Sequence, residues 1–238
     1  MQDVATLWVY LRTSPLLWLT ATLAAYLAAV QLQAWLGRHP LANPVLIAVA
    51  VLVLVLRATG TPYAAYFDGA QFVHFMLGPA TVALAVPLVA EAGRVRKLLL
   101  PMLCAVAAGS ATAIVTAVGV AWALGASRST LLSLAPKSVT TPIAMAIAEQ
   151  VGGLPNLTAV LVILTGITGA VLVTPLMNGI GLRDYAARGF AAGVASHGIG
   201  TARAFQVSPL AGTFAGLGLA LNGLVTSVLA PMLIGWMM

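Results

Sequence analysis

Polar residues fall in short clusters between long apolar runs, and the runs read as helices near 15–36, 43–58, 66–90, 97–123, 129–150, 155–181, 184–205 and 209–236. Several exceed the roughly 20 residues that cross a bilayer as an α-helix. They are continuous and rich in Leu and Ala, without the two-residue alternation of a transmembrane barrel strand. Three are interrupted near their centres: the third by "MLGPATVALAVP", the fifth by "LAPKSVTTPIAM" and the seventh by "SHGIGTARAF". In lipid, a freed backbone group must find a partner, so such breaks survive only where protein or a watery cavity surrounds them. The pattern predicts an all-α, polytopic transmembrane helical bundle of about eight membrane segments, several broken or re-entrant, with the three broken ones inside.

A weak self-similarity accompanies this pattern. "NPVLIAVAVLVLVL" from Asn43 resembles "NLTAVLVILTGITG" from Asn156, and "GPATVALA" at Gly78 faces "GIGTARAF" at Gly198, at offsets of 113 and 120 residues. Repeats with broken helices at matching places mark secondary transporters, often with inverted topology. On this reading the chain is one transmembrane domain over 1–238, with 43–124 and 156–236 as repeats and 129–150 as a linking broken helix. The alternative is that apolar, Gly-rich helices resemble one another by composition.

Composition narrows the class. The chain has 238 residues, 61% hydrophobic and 7% charged, with a mean hydropathy of +1.03. A soluble domain cannot cover its surface with so few charges. The net charge of +6 points to loops facing the cytoplasm and anionic headgroups, and no aromatic–basic interleaving suggests nucleic acid. "EAGRVRKL", with Arg94, Arg96 and Lys97, reads as a cytoplasmic loop. If every run crosses once, Arg128, Arg183 and Arg188 fall on the outside, a conflict that a re-entrant segment would remove. The single cysteine, Cys104, excludes an internal disulfide and reads as a packed, inert thiol. No cleavable signal is evident, because the first residues carry Asp3 and no basic segment.

The breaks hold the candidate chemistry. Lys137 lies between Pro136 and Ser138 with apolar sequence on both sides. An unpaired ammonium there needs an anion, a polar cavity or loss of its proton. Glu149, twelve residues on and roughly 18 Å along a continuous helix, is too far to pair. Snorkelling to the interface is the structural alternative. Ser138, Thr140 and Thr141 follow the break, and Pro142 suits a first helical turn with Thr141 as N-cap. A helix N-terminus beside Lys137 would form a small anion site, or the threonine would simply cap a helix.

In the seventh run, Gly198 and Gly200 allow close backbone approach. Thr201 can donate, Arg203 can grip a carboxylate with two hydrogen bonds or contact headgroups, and His197 can donate, carry a proton or serve structurally. Pro79 and Thr81, in "GPAT", would shape the cavity. Asn222 is the deepest asparagine and reads first as an interhelical hydrogen-bonding group, second as a cavity residue. Neither HExxH, CxxC, GxSxG nor a phosphate loop occurs, so no enzymatic activity, cofactor or metal site is expected.

Together "MLGPATVALAVPL", "LAPKSVTTPIAM", "NLTAVLVILTGITGAV" and "GVASHGIGTARAF" resemble the LrgB/CidB/YohK family from about Asn43 to Pro231; the first 36 residues match it weakly. The resemblance implies a multi-pass protein of the bacterial inner membrane. Family members are described as antiholin-like or holin-like regulators of murein hydrolase activity and lysis, often with a small LrgA/CidA-type membrane partner. The plant plastid relative exchanges glycolate and glycerate, and bacterial members are linked to pyruvate uptake. One departure is visible: "QVSPLAGTF", after the third break, lacks the acidic residues common in the family at that point.

The expected function is therefore a carrier of small monocarboxylates or hydroxyacids such as pyruvate, glycolate or glycerate. It would work by alternating access, with Lys137, Ser138, Thr140 and Thr141 facing His197, Thr201 and Arg203. The alternative is an antiholin-like regulator. A homodimer is expected by analogy with carriers that have moving domains.

Overall fold

The computed structural model describes residues 14–39, 41–83 and 85–237. The side chains of Leu77, Thr81, Ala85 and Leu88 lie outside that description. The chain is all helical across these residues and forms two compact units, divided after Ala83. Among the described residues four helices are long and apolar enough to cross a membrane: Pro15–Trp35, Ala92–Ala123, Pro155–Gly179 and Pro209–Met237. Large apolar side chains are exposed along them, as a lipid solvent allows.

The first unit contains α1 (Pro15–Trp35), α2 (Pro44–Ala58), α3 (Tyr63–Phe75) and α4 (Leu77–Ala83). Asn43 starts α2 as its N-cap by accepting from the Val45 and Leu46 amides. Gly69 of α3 faces the α1 backbone at Pro15 and Leu19, where a Cβ would collide. Buried Trp18 meets Tyr66 edge-on at 5.9 Å. The third apolar run is not one span. It is interrupted at Met76, before "GPAT", so Gly78 to Thr81 lie inside α4 and not at a break.

The second unit contains α5 (Ala85–Ala90), α6 (Ala92–Ala123), α7 (Arg128–Leu134), α8 (Thr141–Val151), α9 (Pro155–Gly179), α10 (Tyr185–Val207) and α11 (Pro209–Met237). Neither α7 nor α8 can cross alone: at 1.5 Å per residue they span about 10 and 16 Å against a core of about 30 Å. They form a hairpin. As the chain leaves α8 it returns beside α7: the Leu154 amide donates to Ser133 Oγ at 2.7 Å, and Thr158 Oγ1 donates to the Ser133 carbonyl at 2.9 Å. Gly153 lies against the Leu132–Ser133 backbone, where a Cβ would not fit. Gly152, at φ 85°, ends α8 in the left-handed conformation that glycine tolerates.

The α10 helix is a second hairpin. Ser196 (φ −135°, ψ 16°) and His197 (φ 41°, ψ −136°) break it. The returning arm folds onto the entering one, so a Cβ on Gly200 would strike the Ala192 carbonyl. The entering arm runs parallel to α11. Gly189 faces Ala211, Gly193 faces Ala215, and Gly218 faces the Phe190 carbonyl, all closer than a Cβ permits. This is the small-residue mode by which helices approach closely where no hydrophobic effect drives them together.

These contacts fix a topology. The α6 helix begins on the face that carries the α9–α10 connection, as the Arg94–Asp184 ion pair at 3.2 Å records. It ends on the opposite face, from which the α7–α8 hairpin enters. The α9 helix crosses back, the α10 hairpin enters from the first face, and α11 crosses again. Two hairpins therefore enter from opposite faces. This inverted pair, 92–151 and 155–207, differs from the repeats read in the sequence, which span both compact units. It also removes the charge conflict. Arg94, Arg96, Lys97, Arg183 and Arg188 share one face, which the positive-inside rule makes cytoplasmic, and Arg128 lies on the other. Cys104, expected to be packed, is exposed on α6.

The topology gives a direct expectation. With Cys104 replaced by Ser, single cysteines at Arg183→Cys and Ser208→Cys should react with an impermeant maleimide only from the cytoplasmic face, and Ala126→Cys and Leu154→Cys only from the other. Opposite-face labelling of the 183 and 208 positions would mean that α10 crosses. Gly193→Leu should lower thermal stability in detergent by about 2 kcal/mol or more, because α10 must move off α11.

Candidate functional site

The two hairpin tips meet mid-membrane. On the first, Ser127 caps α7 by accepting from the Thr130 amide. After Leu134 the backbone continues in tight turns, Lys137 N–H to Leu134 O at 3.1 Å and Val139 N–H to Pro136 O at 3.3 Å. Thr140 is extended and α8 starts at Thr141 with Pro142 in its first turn. The N-cap is thus Thr140, one residue before the expected Thr141, and its side chain makes no capping bond. Pro136, Ser138 and Val139 are buried, and Lys137 is half-buried. Among the described residues Lys137 has no carboxylate partner, and the Ser138 hydroxyl, on a residue 1% exposed, has no hydrogen-bond partner.

On the second tip, two glycines of α9 make the space. A Cβ on Gly169 would overlap Ser196 Oγ, and one on Gly166 would press on the His197 ring. His197 Nε2 lies 2.9 Å from the Val162 carbonyl. A carbonyl only accepts, so this bond requires the Nε2–H tautomer and leaves Nδ1 as an acceptor. Thr201 Oγ1 donates to the His197 carbonyl, one turn back, at 2.8 Å. His197 holds a positive φ, a conformation costing about 1–3 kcal/mol and tolerated only where surroundings enforce it.

Asn222, in the middle of α11, joins the tips. Its Nδ2 donates to the Ser138 carbonyl at 3.0 Å and to the Val194 carbonyl at 2.9 Å. Its Oδ1 accepts from Ser110 Oγ of α6 at 2.6 Å and from Thr226 Oγ1 at 3.0 Å. All four hydrogen-bonding positions of the amide are used, and Asn222 is 1% exposed. Asn222 thereby ties the tip that carries Lys137 to Val194, three residues before His197.

The structure thus gathers Lys137, Ser138, His197, Thr201 and Asn222, with Thr140 and Thr141 at the start of α8. Gly198 faces open space, whereas the room beside Gly200 is taken by Ala192 and Ser196 and not by a ligand. Arg203 does not face Lys137. It lies further along the returning arm, donates to Gln206 at 3.2 Å and borders Tyr185 and Arg188 toward the basic face. Pro79 and Thr81 belong to α4 of the first unit, and the side chain of Thr81 is outside the described residues. Sequence reasoning missed Ser110, Thr226 and Ser196, and the glycine pair of α9. A Gly-x-x-Gly in the span before "SHG" is the signal that could have found the pair. Among the described residues no group of His, Cys, Asp or Glu could hold a metal ion.

Asn222→Ala should cost about 2 kcal/mol or more in thermal unfolding, because two buried carbonyls at separate tips lose their donor. Thr226→Val, which leaves Asn222 bonded to Ser110 and both tips, should cost clearly less. Equal losses would show that the amide does not hold the tips.

Comparison with known proteins shows the family of the chain. Residues 22–236 match the model of the LrgB-like family. The chain is 37% identical over 195 residues to the uncharacterized protein YwbG of Bacillus subtilis, covering 82% of this chain and 87% of that one. It is 32% identical to the holin-like protein CidB of Staphylococcus epidermidis, covering 82% and 86%. It is 29% identical to the holin-like protein CidB of Staphylococcus aureus, covering 92% and 95%. No solved structure matches the chain. With the family match spanning nearly its whole length and apolar helices built to cross a bilayer, the chain belongs to the LrgB-like family of multi-pass membrane proteins.

Proposed function

We propose that the protein is a secondary carrier for a small monocarboxylate or hydroxyacid, of the size of pyruvate, glycolate or glycerate, in the bacterial inner membrane. The observation that carries this reading is the tip of the α7–α8 hairpin: a half-buried lysine without a carboxylate partner, beside a buried serine hydroxyl without a hydrogen-bond partner. A buried, unpaired polar group is costly, and an incoming carboxylate would meet both needs. One oxygen would accept from the Lys137 ammonium and the Ser138 hydroxyl, and the N-terminal turn of α8 would add its partial positive charge. His197, on the opposing tip, would face the same space. Because the two hairpins enter from opposite faces, withdrawal of either tip would open the centre to one side only. This is the geometry alternating access requires.

A second reading has its own support. Two of the relatives reported above are named holin-like, which favours an antiholin-like regulator of murein hydrolase activity assembled with a small LrgA/CidA-type membrane protein. Such a regulator needs packing surfaces and has no use for an unpaired lysine between hairpin tips.

Proteoliposomes holding the purified protein should accumulate labelled pyruvate or glycolate saturably. Lys137→Ala should lower uptake roughly tenfold or more, the weight of one charge-assisted hydrogen bond, and Ser138→Ala by less. Folded wild-type protein that moves neither acid, alone or with an LrgA/CidA-type partner, yet co-purifies with that partner would establish the regulator instead.

A further inference from the structure

A cavity of about 710 Å³ opens between α6 and the entering arm of α10. Its volume is that of a site for a sizeable organic ligand. At the cytoplasmic end stand Arg94, Lys97 and Asp184. Asp184 is fully engaged: one oxygen accepts from the Ala187 amide at the start of α10, and the other pairs with Arg94. Arg94 also lies over the Phe214 ring at 5.8 Å. Lys97 has no carboxylate partner among the described residues, so the mouth carries one uncompensated positive charge.

Below the mouth the wall is entirely apolar or small. Pro101, Ala105, Gly109 and Ala113 follow one face of α6, and Phe190, Ala191 and Val194 follow α10. From Lys97 to Ala113 is sixteen residues, roughly 24 Å along the helix. The hydrocarbon of one leaflet is about 15 Å deep, half the usual core. The cavity therefore runs from headgroup level to the α10 tip at Ala195, a depth that takes in the whole of one leaflet. A hydrophilic solute would find no polar group along this wall, whereas a hydrocarbon chain would find it complementary throughout.

We propose that this cavity is a binding site for an anionic phospholipid of the cytoplasmic leaflet. The headgroup phosphate sits at Lys97 and Arg94, and one acyl chain lies in the α6–α10 groove. The site is separate from the Lys137–Ser138 centre and does not depend on its role. The bound chain forms the wall of the α10 hairpin opposite α11 and holds the entering arm between lipid and protein.

The test uses the full-length protein in phosphatidylcholine vesicles doped with phosphatidylglycerol that carries a photoreactive group in mid-chain. Labelled peptides are mapped by mass spectrometry. Labelling should concentrate on 98–113 and 186–195, and unlabelled phosphatidylglycerol should compete while phosphatidylcholine does not. Lys97→Glu, at an exposed position, should weaken competition by about fivefold or more, the weight of a basic residue beside an anionic surface. Ala191→Phe should block labelling in protein that keeps its elution volume and melting temperature, and Lys137→Ala should leave it unchanged. Labelling spread evenly over the lipid-exposed helices would overturn the proposal. So would a groove labelled by a photoreactive free fatty acid and not by the phospholipid, or a groove closed to both by another part of the chain or a second copy.

Discussion

The second unit depends on one side-chain amide. Two re-entrant hairpins end in the middle of a bilayer, with the carbonyls of Ser138 and Val194 at their tips. A buried carbonyl left unsatisfied there costs several kcal/mol. Asn222 donates to both from a third element, and Ser110 of α6 fixes the other end of the amide. Leucine would fill the volume, but only a side chain with two donors and an acceptor can terminate two hairpins at once. The two larger apolar clusters of the unit lie on either side of this centre. One, with Ile114, Val139 and Val162, packs around the α7–α8 hairpin, and the other, with Val106, Phe190 and Phe214, around the α10 hairpin.

Because both tips hang on the same amide, they are energetically coupled. Any ligand that draws Ser138 away changes the strength with which Val194 is held, and the influence is reciprocal by thermodynamic necessity. The backbone strain at His197 adds a bias, since the enclosing groups, Val162 and the glycines of α9, are what keep that conformation populated. A carrier and a regulated scaffold would both use such coupling. What would separate them chemically is Lys137: a carrier of anions would use its charge, and a packing surface would not.

Much of this was legible in the chain. Hydropathy gave the long spans, and the prolines and glycines of "LAPKSVTTPIAM" and "SHGIGTARAF" located both mid-membrane breaks, because few other residues end a helix where the backbone cannot be solvated. The direction after each break was not legible. A re-entrant arm and a crossing arm have the same composition, and only the distribution of Arg183, Arg188 and Arg128 hinted at re-entry. "GPAT" misled because Pro79 is acceptable in the first turn of a helix, and the interruption fell at Met76 instead. Arg203 seemed adjacent to His197 by number, yet six residues along a returning arm carry it toward the basic face. Ser110 and Thr226 gave no signal, since a lone hydroxyl in an apolar helix usually bonds its own backbone.

The parallel alignment of the entering arm of α10 with α11 bears on how the protein is assembled. Gly189 and Gly193 seat against Ala211 and Ala215, which leave the ribosome some twenty residues later. During synthesis, then, the arm lacks the surface against which it closes until α11 has inserted. On the cytoplasmic assignment of that face, none of the hairpin has to be translocated, and Arg183, Arg188 and Arg203 stay where they are made. The opposite hairpin must be carried through with Arg128 and Lys137 aboard before α9 can turn back. Insertion of this unit is accordingly ordered: the exported hairpin is committed first, and the cytoplasmic one is a late closure over a bundle already in place.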